Sequence, residues 1–212
     1  MEFDFSSMAP SQCYRLLVSV VVPRPIALVT SLNEAGVVNA APFSFFNLMG
    51  DDPPILILSI ERKPGGATKD TAHNIALQRE FVVNLVDEAT AERMHACSRD
   101  FPSNESEATA VGFTTLPSRA VAAPRIAESP VALECQLYQT IDISPLRQLI
   151  IGQVVWLHSH EGVFDPLTLR VNMDHYFPVG RLYADRYVTT RDQFVAEGSP
   201  EYLAAIRSQG RL

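Results

Sequence analysis

Basic residues are in short supply: 17 lysines and arginines stand against 24 aspartates and glutamates, a formal net charge of -7 over 212 residues. A protein that grips nucleic acid through a basic face needs the opposite balance, which sets that class aside. One bound anion is still allowed, because it needs only a few local donors. Cysteine is scarcer still. Cys13, Cys97 and Cys135 lie far apart, form no metal-ligand pattern, and as an odd number cannot all pair within the chain, so a reducing compartment is expected. No apolar run is long enough to cross a bilayer: Leu16 to Val22 is cut by Pro23-Arg24-Pro25, short of the ~20 residues a spanning helix requires. The opening Met-Glu-Phe-Asp-Phe lacks the basic stretch of a secretory signal. These absences give the expectation of a cytoplasmic protein with no membrane or nucleic-acid partner. Internal repeats, low-complexity tracts and the regular strand–helix alternation of a dinucleotide-binding fold are missing too.

What is present centres on Arg24 to Asn47. Arg24-Pro25-Ile26-Ala27-Leu28-Val29-Thr30-Ser31 is an extended segment whose Ile26, Leu28 and Val29 suit a pleated, partly buried surface. Asn33-Glu34-Ala35-Gly36 supplies the reversal, and a second extended segment follows to Pro42. Beyond it Ser44 and Asn47 are interleaved with Phe43, Phe45 and Phe46. Aromatic bulk and polar groups sharing one short segment suit a planar, partly polar ligand.

Along the rest of the chain, a helix is expected over Ser11 to Val18 with Ser11 as its N-cap. Ile55 to Ile60 reads as a strand buried on both faces, and Lys69-Asp70-Thr71 opens a helix to about Gln78. Phe81 to Val86 is a strand and Glu88 to about Cys97 a helix. Arg99 to Ala110 reads as a mobile connection, and Phe113 to Leu116 as a short strand. Two longer strands, Val131 to Ile141 and Leu149 to His158, flank a loop from Asp142 to Gln148. Many strands, few short helices and frequent proline breaks indicate a mainly β chain, a β-barrel with added helices. At 47 % hydrophobic residues, one sizeable core and a single domain with decorations are expected.

The two motifs, Arg24 to Ser31 with Asn39 to Phe46 and then Lys69-Asp70-Thr71, resemble in order and spacing those of the flavin reductase-like, FMN-binding split-barrel proteins. The resemblance runs from about residue 10 to about residue 185. It implies a split β-barrel of Greek-key type with a few peripheral helices over residues 1–185, followed by a C-terminal extension, 186–212, whose Pro200 to Gln209 suits a short amphipathic helix. It also implies non-covalent FMN, NAD(P)H as co-substrate, a homodimer, and a flavin-dependent monooxygenase or another electron acceptor as partner. The implied activity is that of an NAD(P)H:flavin oxidoreductase. A flavoredoxin-like electron carrier, or an FMN-binding module without nicotinamide turnover, is the alternative.

Candidate site residues follow from the motifs. Lys69 and Thr71 at a helix N-terminus suit a phosphate, since that terminus offers unpaired N–H groups and a partial positive charge; Thr30 and Ser31 are expected to add donors if the barrel brings them close. The resemblance implies that Asn39, Ala41, Ser44, Phe45 and Asn47 lie along the flavin ring's edge, with Ser59 nearby. His175 and Arg181 are the candidates for the nicotinamide substrate, although Tyr183-Ala184 stands where relatives often carry two glycines. No catalytic acid or base is expected, because hydride transfer is the cofactors' own chemistry. His158 and His160 alternate along a strand but lack a third ligand, so no metal site is expected.

Overall fold

The computed structural model describes residues 1–63, 65–194 and 196; the helix expected over Pro200 to Gln209 lies outside them. Helix α1 spans Pro10–Val20. Its N-cap is Ala9, two residues before the expected Ser11: Pro10 takes the first helical position, where a missing N–H costs nothing, and Gln12 Oε1 accepts from Ala9 N–H at 3.0 Å. After it come β1 (Ala27–Leu32), β2 (Val38–Phe43), β3 (Phe46–Asp51) and β4 (Pro54–Glu61). Helix α2 (Asp70–Gln78) precedes β5 (Glu80–Leu85), and the short helices α3 (Ala91–Ala96) and α4 (Glu107–Ala110) follow. The chain then forms β6 (Thr115–Leu116), β7 (Arg125–Ile126), β8 (Val131–Ser144), β9 (Arg147–Ser159), β10 (Val179–Arg181) and β11 (Tyr187–Thr189).

Seven strands form one antiparallel sheet in the order β2-β1-β5-β8-β9-β4-β3. The two edge strands, β2 and β3, are consecutive in sequence, with only Ser44 and Phe45 between them. Laid flat, six inter-strand steps would hold those edges ~29 Å apart, whereas the three Cα steps from Phe43 to Phe46 reach at most ~11 Å. The sheet must therefore be rolled until its edges meet. No ladder joins β2 to β3, and the result is a split barrel. Phe45 is tied at the seam by its carbonyl, which accepts from Ser59 N–H at 2.8 Å.

The barrel's interior holds Val29, Leu56, Leu58, Ile60, Phe81, Val83, Cys135 and Ile150. Strand β4 corrects one expectation: burial alternates along it, Leu56, Leu58 and Ile60 inside and Ile55, Ile57 and Ser59 half-exposed, so only one face is fully enclosed. Gly152 on β9 is where Phe81 crosses, since a Cβ there would stand 2.4 Å from Phe81 Cζ. Strands β8 and β9 run on to Ser144 and Arg147, leaving only Pro145-Leu146 as the turn; the expected loop from Asp142 to Gln148 is largely an exposed β-arm. Helix α3 is shorter than expected because Asp87 to Thr90 forms a side-chain-bonded turn ahead of it, with Thr90 N–H donating to Asp87 Oδ1 at 3.0 Å. The segment Arg99 to Ala110 ends in the ordered turn of α4. Strand β11 lies past the boundary drawn at residue 185 and pairs with β10 before it, so the hairpin crosses that boundary.

Candidate functional site

Two cavities meet outside β2. The larger, about 900 Å³, is lined by Asn39, Ala41, Pro42 and Phe43 of β2, by Arg62 and Lys63 after β4, by Lys69, Asp70 and Thr71 at the start of α2, and by Cys97 to Phe101 and Glu107 opposite. Helix α2 begins at Asp70 with Lys69 as N-cap, and no side chain caps it. Its first-turn N–H groups are thus left for a ligand. Asp70 is turned toward Lys63, whose Nζ lies 3.1 and 3.3 Å from its two oxygens. Thr71 is buried; its Oγ1 accepts from Asn39 Nδ2 at 2.9 Å and keeps its own proton to donate. Arg62 reaches Asp142 at 2.9 Å, but its Nε is buried with no hydrogen-bond partner among the described residues. An ammonium, a hydroxyl, uncapped helix N–H groups and an orphaned guanidinium N–H form a donor set that fits a phosphate group. The volume falls in the ~300–1,000 Å³ range of small-molecule and cofactor pockets.

The opposite wall carries two acidic groups whose pKa values are raised. Burial, aided by the charge of Glu107, pushes the Cys97 thiol up to about 12, so it is not a thiolate nucleophile at neutral pH. Burial also raises Glu107, despite the 2.8 Å bond its Oε2 accepts from Ala40 N–H; the charge of Asp70 acts in the same direction as burial.

The smaller cavity, about 560 Å³, shares Pro42 and Ser98 with the first. Its walls come from α1 (Tyr14, Arg15, Val18), from Arg24 and Ser44 beside the seam, from Met94 and His95 of α3, and from Arg181, Tyr183, Ala184, Asp185 and Tyr187 of the β10–β11 hairpin. Arg24 and Arg181 are bridge partners, each backbone N–H donating to the other's carbonyl, at 3.0 and 2.8 Å. The buried Arg24 guanidinium donates to Val18 O and Val21 O at 2.8 Å, to Leu182 O at 2.5 Å and to Ser44 Oγ at 3.4 Å. All four acceptors are neutral, and burial depresses its pKa. Among the described residues its charge has no carboxylate partner at the cavity wall. With Arg15 and Arg181 against Asp185, this cavity is cationic within an acidic chain, and Tyr14, Tyr183 and Tyr187 give it aromatic faces.

Of the expected site residues, the structure gathers Asn39, Ala41, Lys69 and Thr71 in the larger cavity and Ser44 and Arg181 in the smaller. Thr30 and Ser31 line neither; both are fully buried. Thr30 Oγ1 donates to Pro124 O at 2.6 Å, and Ser31 Oγ accepts from Asn74 Nδ2 at 3.2 Å. Ser31 thus ties β1 to α2 through Asn74, Thr30 ties it to the Pro124 loop, and neither hydroxyl reaches the cavity at the tip of α2. Phe45 packs between Tyr14, ring centroids 6.2 Å apart, and Arg147, 5.2 Å from its centroid. Asn47 is exposed and accepts from Leu48 N–H, and Ser59 accepts from Arg147 Nη1 at 3.2 Å; neither lines either of these two cavities. His175 lies against Gly162, outside both. His158 Nε2 donates to Glu134 Oε1, 2.5 Å away, and His160 Nε2 donates to Ala127 O at 2.8 Å. Arg24, Glu107, His95 and Tyr187 carry no expectation above. Arg24 stands inside the motif; the others come from two short helices, α3 and α4, and the three-residue strand β11.

Residues 19–180 match the model of the flavin reductase like domain. An uncharacterised protein of Aquifex aeolicus is 37% identical over 188 residues, covering 89% of this chain and 95% of its own. Among solved structures, a 2-nitrobenzoate 2-nitroreductase of Pseudomonas fluorescens is 43% identical with a TM-score of 0.85, covering 94% of this chain and 98% of that one. Nitrilotriacetate monooxygenase component B of Bacillus cereus is 31% identical with a TM-score of 0.88, over 92% and 98%. The flavoredoxin of Desulfovibrio vulgaris, 18% identical with a TM-score of 0.75 over 95% and 100%, shares the fold.

Proposed function

Because this chain belongs to the flavin reductase-like family, we propose that it is an oxidoreductase that binds FMN non-covalently in the larger cavity and reduces it with NAD(P)H. The observation that carries this reading is the uncapped N-terminus of α2, which opens with Lys69 and Thr71 onto a cavity of cofactor size. Lys69, the Thr71 hydroxyl and the first-turn N–H groups hold the phosphate. The backbone of Asn39 to Pro42 lies along the ring edge, where Ala41 allows close approach. The bound flavin supplies hydride acceptance and donation at N5. The chain binds, orients and excludes water, and the smaller cavity receives the molecule that exchanges hydride with the ring.

The cationic, tyrosine-walled cavity favours a small aromatic acid as electron acceptor. The 43% identity to a 2-nitrobenzoate 2-nitroreductase supports the same reading. The alternative is delivery of reduced flavin to a partner monooxygenase, supported by the likeness to a monooxygenase component. We also propose a homodimer. Phe45 joins three elements with exposed apolar residues, Leu17 and Val20 of α1, Leu48 and Met49 of β3, and Ile143 and Leu146 at the β-arm, and a second copy would cover them. A cytoplasmic location agrees with three cysteines that are all unpaired.

The test is an anaerobic absorbance scan of the purified, FMN-loaded protein with NADH and NADPH added separately, then a nitrobenzoate. Flavin bands that bleach with a nicotinamide and return with the nitrobenzoate are the expected result. Bands that bleach only with dithionite would leave an electron carrier, and failure to bind FMN would remove the reading altogether.

A further inference from the structure

Three side chains of the smaller cavity form a relay that the functional reading does not use. Arg181 on β10 and Tyr187 on β11 are register partners, and an Arg181 Nη1–H donates to the Tyr187 phenol oxygen. His95 of α3 approaches the same oxygen, Nδ1 at 2.8 Å, with the two rings edge-on at 82°. A phenol has one proton to give and two lone pairs. With Arg181 on one lone pair, the Tyr187 proton has two directions, His95 or the cavity.

We propose that Tyr187 is the proton donor to the molecule reduced in this cavity, with Arg181 positioning it and His95 recharging it; the proposal rests on the flavin reading above. Reduction by hydride brings two electrons and one hydrogen, and a second proton must come from elsewhere. For a nitro group the balance is R–NO2 + H− + H+ → R–NO + H2O, then R–NO + H− + H+ → R–NHOH. The hydride comes from flavin that NAD(P)H has reduced. In each step the Tyr187 O–H bond breaks and its proton goes to an acceptor atom; Arg181 stabilises the phenolate left behind, and His95 returns a proton drawn from solvent. The groups facing Tyr187 are Arg181 and Asp185 on the hairpin and Glu92 and His95 on α3. Burial, together with the charges of Asp185 and Glu92, raises the Tyr187 pKa more than the Arg181 charge and hydrogen bond lower it, so the phenol is protonated at neutral pH. The shared Pro42 and Ser98 put this relay next to the cavity assigned to the flavin.

The experiment uses FMN-loaded wild type, Tyr187→Phe and His95→Gln, with NADPH or dithionite as reductant and 2-nitrobenzoate as probe acceptor. Tyr187→Phe keeps the ring and removes the proton. Its acceptor half-reaction should fall a hundredfold or more relative to its own flavin-bleaching half-reaction, within the ~10²–10⁴ of general acid catalysis, and lose its solvent deuterium isotope effect. His95→Gln should slow turnover in dilute buffer and recover with added imidazole, which a packing role would not produce. In the flavin-free protein, the His95 Nδ1 nitrogen resonance should move in Tyr187→Phe. Flavin reoxidation within threefold of wild type, with the isotope effect retained, overturns the proposal. So does a wild type that binds FMN but reduces the probe no faster than free reduced FMN. Failure to bind FMN refutes the underlying reading instead, and the absorbance scan separates that case.

Discussion

Lys69→Ala tests the phosphate seat most directly. Lys69 is in no ion pair among the described residues, whereas Lys63 is committed to Asp70 and Arg62 to Asp142. Removing the Lys69 ammonium therefore breaks no contact that the folded protein makes for itself, and stability should be unchanged within ~0.5 kcal/mol. A charge-assisted contact to a phosphate oxygen is worth ~1.5–3 kcal/mol, a loss of about ten- to a hundredfold in affinity. The Thr71 hydroxyl and the N–H groups of the α2 first turn remain, so the upper end of that range is the ceiling. The assay is flavin fluorescence titrated against wild type and variant, with FMN and with riboflavin, which lacks the phosphate. FMN should weaken as stated and riboflavin should not change, so the two ligands converge in affinity. Equal losses for both would move Lys69 to the ring, and no loss for either would remove it from the site.

Glu107 borders the same cavity, and its pKa is raised, so its carboxylate charge appears above the usual ~4.3. FMN affinity should fall as pH rises through that raised value, and Glu107→Gln should remove this part of the pH dependence. Stability has the same sign, because the folded state holds the proton more tightly and loses that advantage with rising pH. Glu134 behaves oppositely. Burial alone would raise it, but bonds from Arg119 N–H, His158 and Ala120 N–H outweigh burial and lower it. Its contribution is present above the unfolded carboxylate's pKa and is lost as pH falls through the folded one; Glu134→Gln should cost ~1.5–3 kcal/mol at pH 7 by urea denaturation and flatten the acid limb. Gly152→Ala drives a methyl into Phe81 and should cost ~1–3 kcal/mol; Phe81→Leu in the same chain should recover part of it, and simple additivity of the two would contradict the contact.

The parts of this molecule that sequence makes legible are those whose physics is local. Asn33 to Gly36 turns because Asn33 Oδ1 accepts from Ala35 and Val37 N–H and Gly36 takes φ +75. Lys69-Asp70-Thr71 begins a helix wherever it lies. What alternation along β1 leaves open is which neighbour covers each face. Thr30 and Ser31 point in opposite directions, one under the Pro124 loop and one under α2, and neither destination is encoded nearby. A polar stretch such as Asp142 to Gln148 reads as a loop because strands are expected to bury one side, yet a projecting two-stranded arm has no such need. His175 sits in a segment without period, so its direction has no local cause. The relay at Tyr187 joins residues 92 positions apart, His95 and Tyr187, and only the completed fold brings them into contact.

The two-residue link between β2 and β3 acts as the clasp of a bracelet. Each hydrogen-bonded ladder of the sheet would survive if it were longer, but the hoop would no longer have a fixed circumference. Pro42 and Phe43, just before the clasp, line the larger cavity, and Ser44 within it lines the smaller. Link length is therefore a gauge for both. A glycine or two inserted after Ser44 would leave the strands paired and the core filled while letting the seam gape. The chain would then keep its fold and lose its fit to a planar guest, a separation of architecture from recognition that few point substitutions can achieve.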